Sequence, residues 1–386
     1  MIPLSAPSLK GNELKYVQEC LDTEWISSVG HYVDQFERDV ASYLGARYAI
    51  ACVNGTAALH ISLLLAGVNS DDEVIVPTIT FIAPVNAVKY LGAHPVFIDC
   101  DSHCTLDTAK VRDFIETECE FARGSTVNKK TGKRIAAIIP VHVFGTPVDM
   151  DPLIELTAQY NIAVIEDATE SLGSNYKRKK AGTLGNLGCL SFNGNKIITT
   201  GAGGMIITDD ANMAKRARYL TTQAKEEGME YIHNEVGHNY RLANVLAAIG
   251  VAQLERIDSY VAIKRKNFYL YKTLLSDTSY TLLDDPHYAQ SNKWFYAVLC
   301  RHKEERDLLL EHLNGKGIQA RPLWFLNHLQ KPYKHCQAYR IDTAPDLYDR
   351  LINIPCSVNL KETEIREVVE AMKEVLPHQS VKTLSI

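Results

Sequence analysis

Lys196 is the residue of this chain whose surroundings most suggest chemistry. It stands between a polar approach, Ser191-Phe192-Asn193-Gly194-Asn195, and a glycine-rich exit, Gly201-Ala202-Gly203-Gly204, after which the apolar run Met205-Ile206-Ile207 begins. Those glycines let backbone come close to something that is not protein. A lysine amine attacks a carbonyl only when deprotonated, a state favoured by desolvation or by a neighbouring cation. The stretch suits a lysine holding an aldehyde cofactor as a Schiff base. Taken alone, it also suits a solvated lysine in a hairpin.

Three further places could serve such a cofactor. Asn54-Gly55-Thr56-Ala57-Ala58-Leu59 joins an apolar strand to a helix. Free N–H groups, a hydroxyl and the positive end of the helix dipole make a phosphate cradle there; Thr56 as a plain N-cap is the alternative. Ile165-Glu166-Asp167-Ala168-Thr169-Glu170 closes another strand with two acids and adds a third. A carboxylate so placed needs a positive partner, and a protonated pyridine nitrogen is one; helix capping is the alternative. Ser191, five residues before Lys196, could add a hydroxyl to the same phosphate.

The elements that must position these groups alternate. Apolar runs predict strands over 48–53, 73–77, 95–99, 135–142, 163–166, 189–192 and 203–208, with helices over 56–66, 81–91, 106–117 and 149–160 between them. Such alternation predicts a mostly parallel sheet covered by helices on both faces. Ligands of such sheets bind at the carboxyl ends of the strands, where all three places lie. Helices are predicted over 10–22 and 33–44, flanking a polar loop that carries Trp25 and Ser27, and a long helical region leads through Leu254 to Leu275. Beyond about residue 276 the pattern predicts a smaller α+β unit: strand 294–300, helix 303–316, strand 318–321 and a last helix 361–376. The expected organisation is a large domain over 1–255 and a small C-terminal domain over 256–386. The basic run Lys177–Lys180 and the insert Asn128–Lys133 both predict solvated hairpin turns.

Composition excludes several classes. A net charge of −5 gives no electrostatic footprint for nucleic acid. No apolar run approaches the roughly 20 residues of a membrane span, and the first residues lack the basic start and apolar core of a signal peptide. Nine scattered cysteines, an odd number mostly in apolar surroundings, predict reduced core thiols and a cytoplasmic location. Asp99-Cys100-Asp101-Ser102-His103-Cys104 superficially resembles a metal cluster, but its ligands crowd one short segment without a second pair, and no metal is expected.

The Asn54–Leu59 turn, Glu166-Asp167-Ala168, Ser191-Phe192 with Lys196, the Gly201–Gly204 exit and Gly237-His238-Asn239-Tyr240-Arg241 occur in order along nearly the whole chain. Together they resemble the DegT/DnrJ/EryC1/StrS family, nucleotide-sugar aminotransferases of the fold-type-I pyridoxal phosphate superfamily. Val141-His142-Val143-Phe144-Gly145 and Asn193–Gly201 look most like its legionaminic acid and bacillosamine branch. The resemblance implies roles. Lys196 would hold pyridoxal 5'-phosphate and shuttle the proton, and Asp167 would keep the pyridine nitrogen protonated. Gly55, Thr56, Ala57 and Ser191 would bind the phosphate from one subunit, and Asn239 from its partner in a homodimer. Phe81 would cover the ring face. Glu170 occupies a ring-contacting position that is often Gln or His in the family. Trp25, Ser27, Arg321 and His328 would face the sugar nucleotide.

The implied activity moves the amino group of glutamate, by way of pyridoxamine 5'-phosphate, to a nucleotide-linked 4-keto-6-deoxy sugar, with UDP-4-keto-6-deoxy-N-acetylglucosamine favoured by the branch resemblance. A dehydratase of the same family is one alternative, against which Lys196 argues because those enzymes carry histidine there. A cofactor-binding regulatory protein without turnover is another, though no DNA-binding segment is evident.

Overall fold

The computed structural model describes residues 1–376. The apolar runs form an eight-stranded sheet in the order Tyr48–Cys52, Gly204–Thr208, Leu187–Ser191, Ala163–Asp167, Ile135–Ile138, Glu73–Pro77, His94–Ile98 and Ala338–Tyr339. Only Gly204–Thr208 runs against its neighbours; every other pairing is parallel. Strand alternation sends Val74 and Val76 to one face and Ile75 to the other. Helices Gly55–Leu65, Ala83–Tyr90 and Ala211–Thr221 cover the first face, and Thr108–Glu118 and Met150–Gln159 cover the second. Both faces are therefore dry, which is why these strands read as unbroken apolar runs.

Two predicted elements end early. The strand begun at Ile135 stops at Ile138, because Pro140 has no N–H to donate to a ladder. Its carbonyl still accepts the Asp167 N–H at 2.9 Å, and a short turn, Val143–Gly145, follows with Phe144 in the left-handed region (φ 57°). The long helical region divides into Asn244–Leu254 and Ile257–Leu274. The first packs with helix His31–Leu44 in one core; the second carries Ile257 and Val261 in that core and Phe268 and Tyr271 in the next. Each stretch thus buries a different stripe.

The smaller unit is an antiparallel sheet, Thr281–Leu282, Tyr296–Leu299, Leu351–Ile354 and Arg321–Pro322, packed against Lys303–Gly315 and Glu362–Lys373. The expected division at 255/256 falls between two helices, but the units interlace. Ile2 pairs with the small unit through the Gly317 and Gln319 backbones, both at 2.9 Å, while Ala338–Tyr339 adds to the edge of the large sheet.

Lys177–Lys180 turns a hairpin with Lys177, Arg178 and Lys179 exposed. The insert at Asn128 closes a hairpin of Cys119–Ala122 and Ser125–Asn128; Lys129 to Gly132 are exposed, whereas Asn128 is buried with its amide on Glu73 at 2.7 Å. Asp99 is tied to Lys110 at 2.6 Å and to the N–H groups of Asp342, Thr343 and Ala344, which anchors the helix Thr343–Arg350 to the large unit.

Candidate active site

The strand Ala163–Asp167 delivers two acids to opposite sides. Glu166 is fully buried, and its carboxylate accepts from His142 Nε2 (2.9 Å) and from the N–H groups of Gly182 (2.8 Å), Leu184 (2.5 Å) and Gly185 (2.6 Å). It staples the 182–185 turn and has no capacity left for a ligand. Asp167 faces a cavity instead. Among the described residues Thr169 is its hydrogen-bond partner, with the N–H on Oδ1 at 3.1 Å. Burial raises its carboxyl above the ordinary range, against the pull of the Thr169 hydrogen bonds, Lys196 and His142.

The helix Gly55–Leu65 begins at the same cavity. Its N-cap is Asn54, whose side chain accepts the Ala57 N–H at 2.8 Å, so Thr56 is free of capping duty. Gly55 and Thr56 line the cavity with the first N–H groups of the helix, beside the Ser191 hydroxyl. The cradle depends on close backbone approach: a Cβ on Gly204 would lie 2.3 Å from the Asn54 carbonyl, and one on Gly55 would lie 2.9 Å from Ser191 Cβ.

Lys196 sits on a loop closed by its own backbone. Its N–H donates to the Asn193 carbonyl (3.0 Å), Thr200 N–H donates to Phe192 (2.9 Å), and Gly201 N–H donates to Thr199 Oγ1 (2.8 Å). The small unit holds the loop from above, where Trp294 Nε1 donates to the Asn195 carbonyl at 2.7 Å. The Lys196 ammonium lies 4.1 Å from the Trp294 ring centroid and 3.8 Å from Glu170 Oε1. Burial lowers its pKa, opposed by Glu170 and Asp167. Burial likewise pushes Glu170 up to about 7, opposed by Lys196 and by the Phe144 N–H, which donates to Glu170 Oε2 at 2.8 Å.

The cavity measures about 410 Å³ and brings together Lys196, Asp167, Glu170, Gly55, Thr56, Ser191 and Phe81 from the expected set. Ala57 stands just behind it with its N–H on Asn54. Five expected residues lie elsewhere in the chain's own fold. Asn239 is exposed on the segment after Val236. Trp25 and Ser27 are exposed, and their carbonyls accept from Asn244 at 2.6 Å each. His328 Nδ1 pairs with Thr78 Oγ1 at 2.6 Å, and Arg321 lies in the small sheet opposite Asn353. Sequence reasoning missed the aromatic wall of Trp294, Phe295 and Trp324. Only the density of aromatic residues near Arg321-Pro322-Leu323-Trp324-Phe325 hinted at part of it.

The model of the DegT/DnrJ/EryC1/StrS aminotransferase family matches residues 7–373. This chain belongs to that family. GDP-perosamine synthases of Caulobacter vibrioides and Escherichia coli O157:H7 are 40% and 38% identical to this aminotransferase, each alignment covering 97% of this chain and 98% of the relative. The solved aminotransferase TlmJ of Streptoalloteichus hindustanus superposes with a TM-score of 0.88 at 27% identity, over 97% of this chain and 98% of its own. The aminotransferase is a sugar transaminase dependent on pyridoxal phosphate, and its residues fit the cofactor. Asp167 is a buried carboxylate with spare acceptor capacity, Gly55 and Thr56 offer helix-start N–H groups, and Lys196 is an amine held below its ordinary pKa. No helix among the described residues is long and apolar enough to cross a membrane.

Proposed function

We propose that this aminotransferase moves the amino group of glutamate to the keto carbon of a nucleotide-linked 4-keto-6-deoxy sugar. The observation that carries the chemistry is the placement of the Lys196 amine in one cavity with Asp167, Glu170 and a helix N-terminus. Bound pyridoxal phosphate supplies an aldehyde that carries the nitrogen and a ring that accepts an electron pair. Lys196 Nζ would take and return the proton of the amine-bearing carbon. Asp167 would hold a proton at the pyridine nitrogen, and Gly55, Thr56 and Ser191 would hold the phosphate. Phe81, on the cavity wall, would cover the ring, while Trp294, Phe295 and Trp324 would exclude water from the lysine.

For the sugar, the likeness to the two GDP-perosamine synthases favours a GDP-linked amino sugar as product. The UDP-linked N-acetyl sugar is the second reading, supported by the residues at 141–145 and 193–201. A second copy of the chain is proposed to complete the site. Asn239 is exposed beyond the cavity of its own chain, on a segment that also exposes Met229, Tyr231 and Val236. Trp25, Ser27, Arg321 and His328 are proposed sugar-nucleotide contacts of that assembled site. The nine free thiols, eight of them buried, support a cytoplasmic location.

The test is the visible spectrum of the purified protein with pyridoxal phosphate, before and after glutamate, beside Lys196→Ala, followed by nitrogen-15 glutamate with GDP- and UDP-linked 4-keto-6-deoxy sugars. A glutamate-bleached band absent from Lys196→Ala, with label in one product sugar, is expected. No response to glutamate overturns the donor, and label in neither sugar overturns the acceptor. Fully active monomers in sedimentation overturn the shared site.

A further inference from the structure

Glu170 stands at a position that is often glutamine or histidine in the family, and three elements hold it from different sides. The Asn292 side-chain amide donates to the carbonyls of Glu170 (2.8 Å) and Leu172 (2.9 Å), which fixes its backbone. The Phe144 N–H donates to its Oε2. Phe144 is left-handed (φ 57°, ψ 13°), a conformation that persists in a bulky residue only where its neighbours over-determine it. Here its ring stacks on Trp324 at 5.3 Å while its N–H points to the carboxyl. The remaining oxygen, Oε1, faces Lys196 Nζ at 3.8 Å, with the Trp294 ring against the same ammonium.

We propose that Glu170 is the proton acceptor of Lys196. The Lys196 ammonium gives one N–H proton to Glu170 Oε1, leaving a neutral amine and a neutral carboxylic acid, and the reverse transfer restores the ion pair. The flexible four-carbon stem of the lysine closes the gap between them. The titratable groups facing the carboxyl are Lys196 and, from the strand end, Asp167. The Phe144 turn offers a backbone N–H, and the segment carrying Trp294 offers an amide and aromatic rings; the one charge on that segment, Lys293, is turned away onto Asp284 and Asp285. Burial drives the two partners toward neutrality from opposite directions, Glu170 upward and Lys196 downward. A glutamine at this position accepts the Phe144 N–H equally well but cannot store a proton. The proposal rests on Lys196 as the reactive amine.

The test is the rate at which apoprotein captures pyridoxal phosphate as a function of pH, with borohydride trapping. Wild type is expected to gain rate through about pH 7. Glu170→Gln, which keeps the acceptor for Phe144, is expected to lose that limb, and Glu170→Asp to keep a shifted one. Carbon-13 NMR of wild-type protein labelled at the glutamate carboxyls gives a readout independent of capture. One resonance titrating near neutrality, missing from Glu170→Gln, is expected. An unchanged limb in Glu170→Gln, or no resonance titrating near neutrality that Glu170→Gln loses, overturns the proposal. Borohydride-stable attachment in Lys196→Ala removes the lysine assignment instead, a result distinct from either.

Discussion

Replacing Glu166 by glutamine should weaken the fold severely, while replacing its neighbour Asp167 by asparagine should not. The Glu166 carboxylate accepts four N–H groups, two on each oxygen: the half-buried Leu184 and Gly185 on Oε1, the buried His142 and Gly182 on Oε2. A glutamine keeps one acceptor oxygen and presents an NH₂ on the other side, so two donors are left facing a donor. A buried donor without an acceptor costs about 1–3 kcal/mol, and with the NH₂ turned to the half-buried Leu184 and Gly185 the low end applies to each, about 2 kcal/mol for the pair. His142 cannot relieve this by moving its ring proton, because its Nδ1 already accepts the Val148 N–H at 3.2 Å. Asp167 accepts one N–H, from Thr169, and an asparagine oxygen replaces that acceptor; the stability change should stay under about 1 kcal/mol. Urea unfolding of the two apoproteins measures both, and release of 2-oxoglutarate from glutamate measures the chemistry. Glu166→Gln should unfold early, and Asp167→Asn should be folded but inactive. A Glu166→Gln protein within about 0.5 kcal/mol of wild type would mean that these four hydrogen bonds do not hold the 182–185 turn.

Gly204→Ala sets a Cβ 2.3 Å from the Asn54 carbonyl and should distort the phosphate cradle at a cost of about 1–3 kcal/mol, weakening cofactor binding roughly tenfold or more in a spectroscopic titration. Trp294→Phe removes the N–H held by the Asn195 carbonyl but keeps an aromatic face. It should retain cofactor and lower turnover about tenfold, a fall seen in kcat more than in the KM for glutamate. His60 is held down to about 4 by burial and then by His238. Between that value and its unfolded value of about 6.5, the unfolded chain binds a proton that the folded chain does not, so stability is lost as pH falls through this window. In His60→Gln the pH slope of the urea midpoint across the window should diminish; an unchanged slope would mean that another group titrates there.

Much of the large sheet was legible because its strands are dry on both faces and its helices carry their own start signals. Lys196 and Asp167 were legible for a related reason: a charged side chain at the end of an apolar strand is locally anomalous. Alternation places Glu166 and Asp167 on opposite sides, but no local signal says which side holds the cavity, and only the fold separates the staple from the chemistry. Trp294 follows Lys196 by about a hundred residues, so no local pattern joins them; their contact depends on how the small unit docks. The strand expected to run to His142 failed at Pro140, whose effect was readable, whereas the left-handed Phe144 beyond it was not. That conformation is imposed by Trp324 and Glu170, both distant in the chain.

The pairing of Ile2 with the backbone around Ile318, together with the late edge strand Ala338–Tyr339, has a consequence for synthesis. During synthesis Ile2 must wait for more than three hundred further residues before it meets its partner, and the large sheet gains the strand Ala338–Tyr339 only after that. The nascent large unit therefore carries an open edge at His94–Ile98 until Ala338–Tyr339 has been made, which makes that edge the place where misassembly between growing chains would begin.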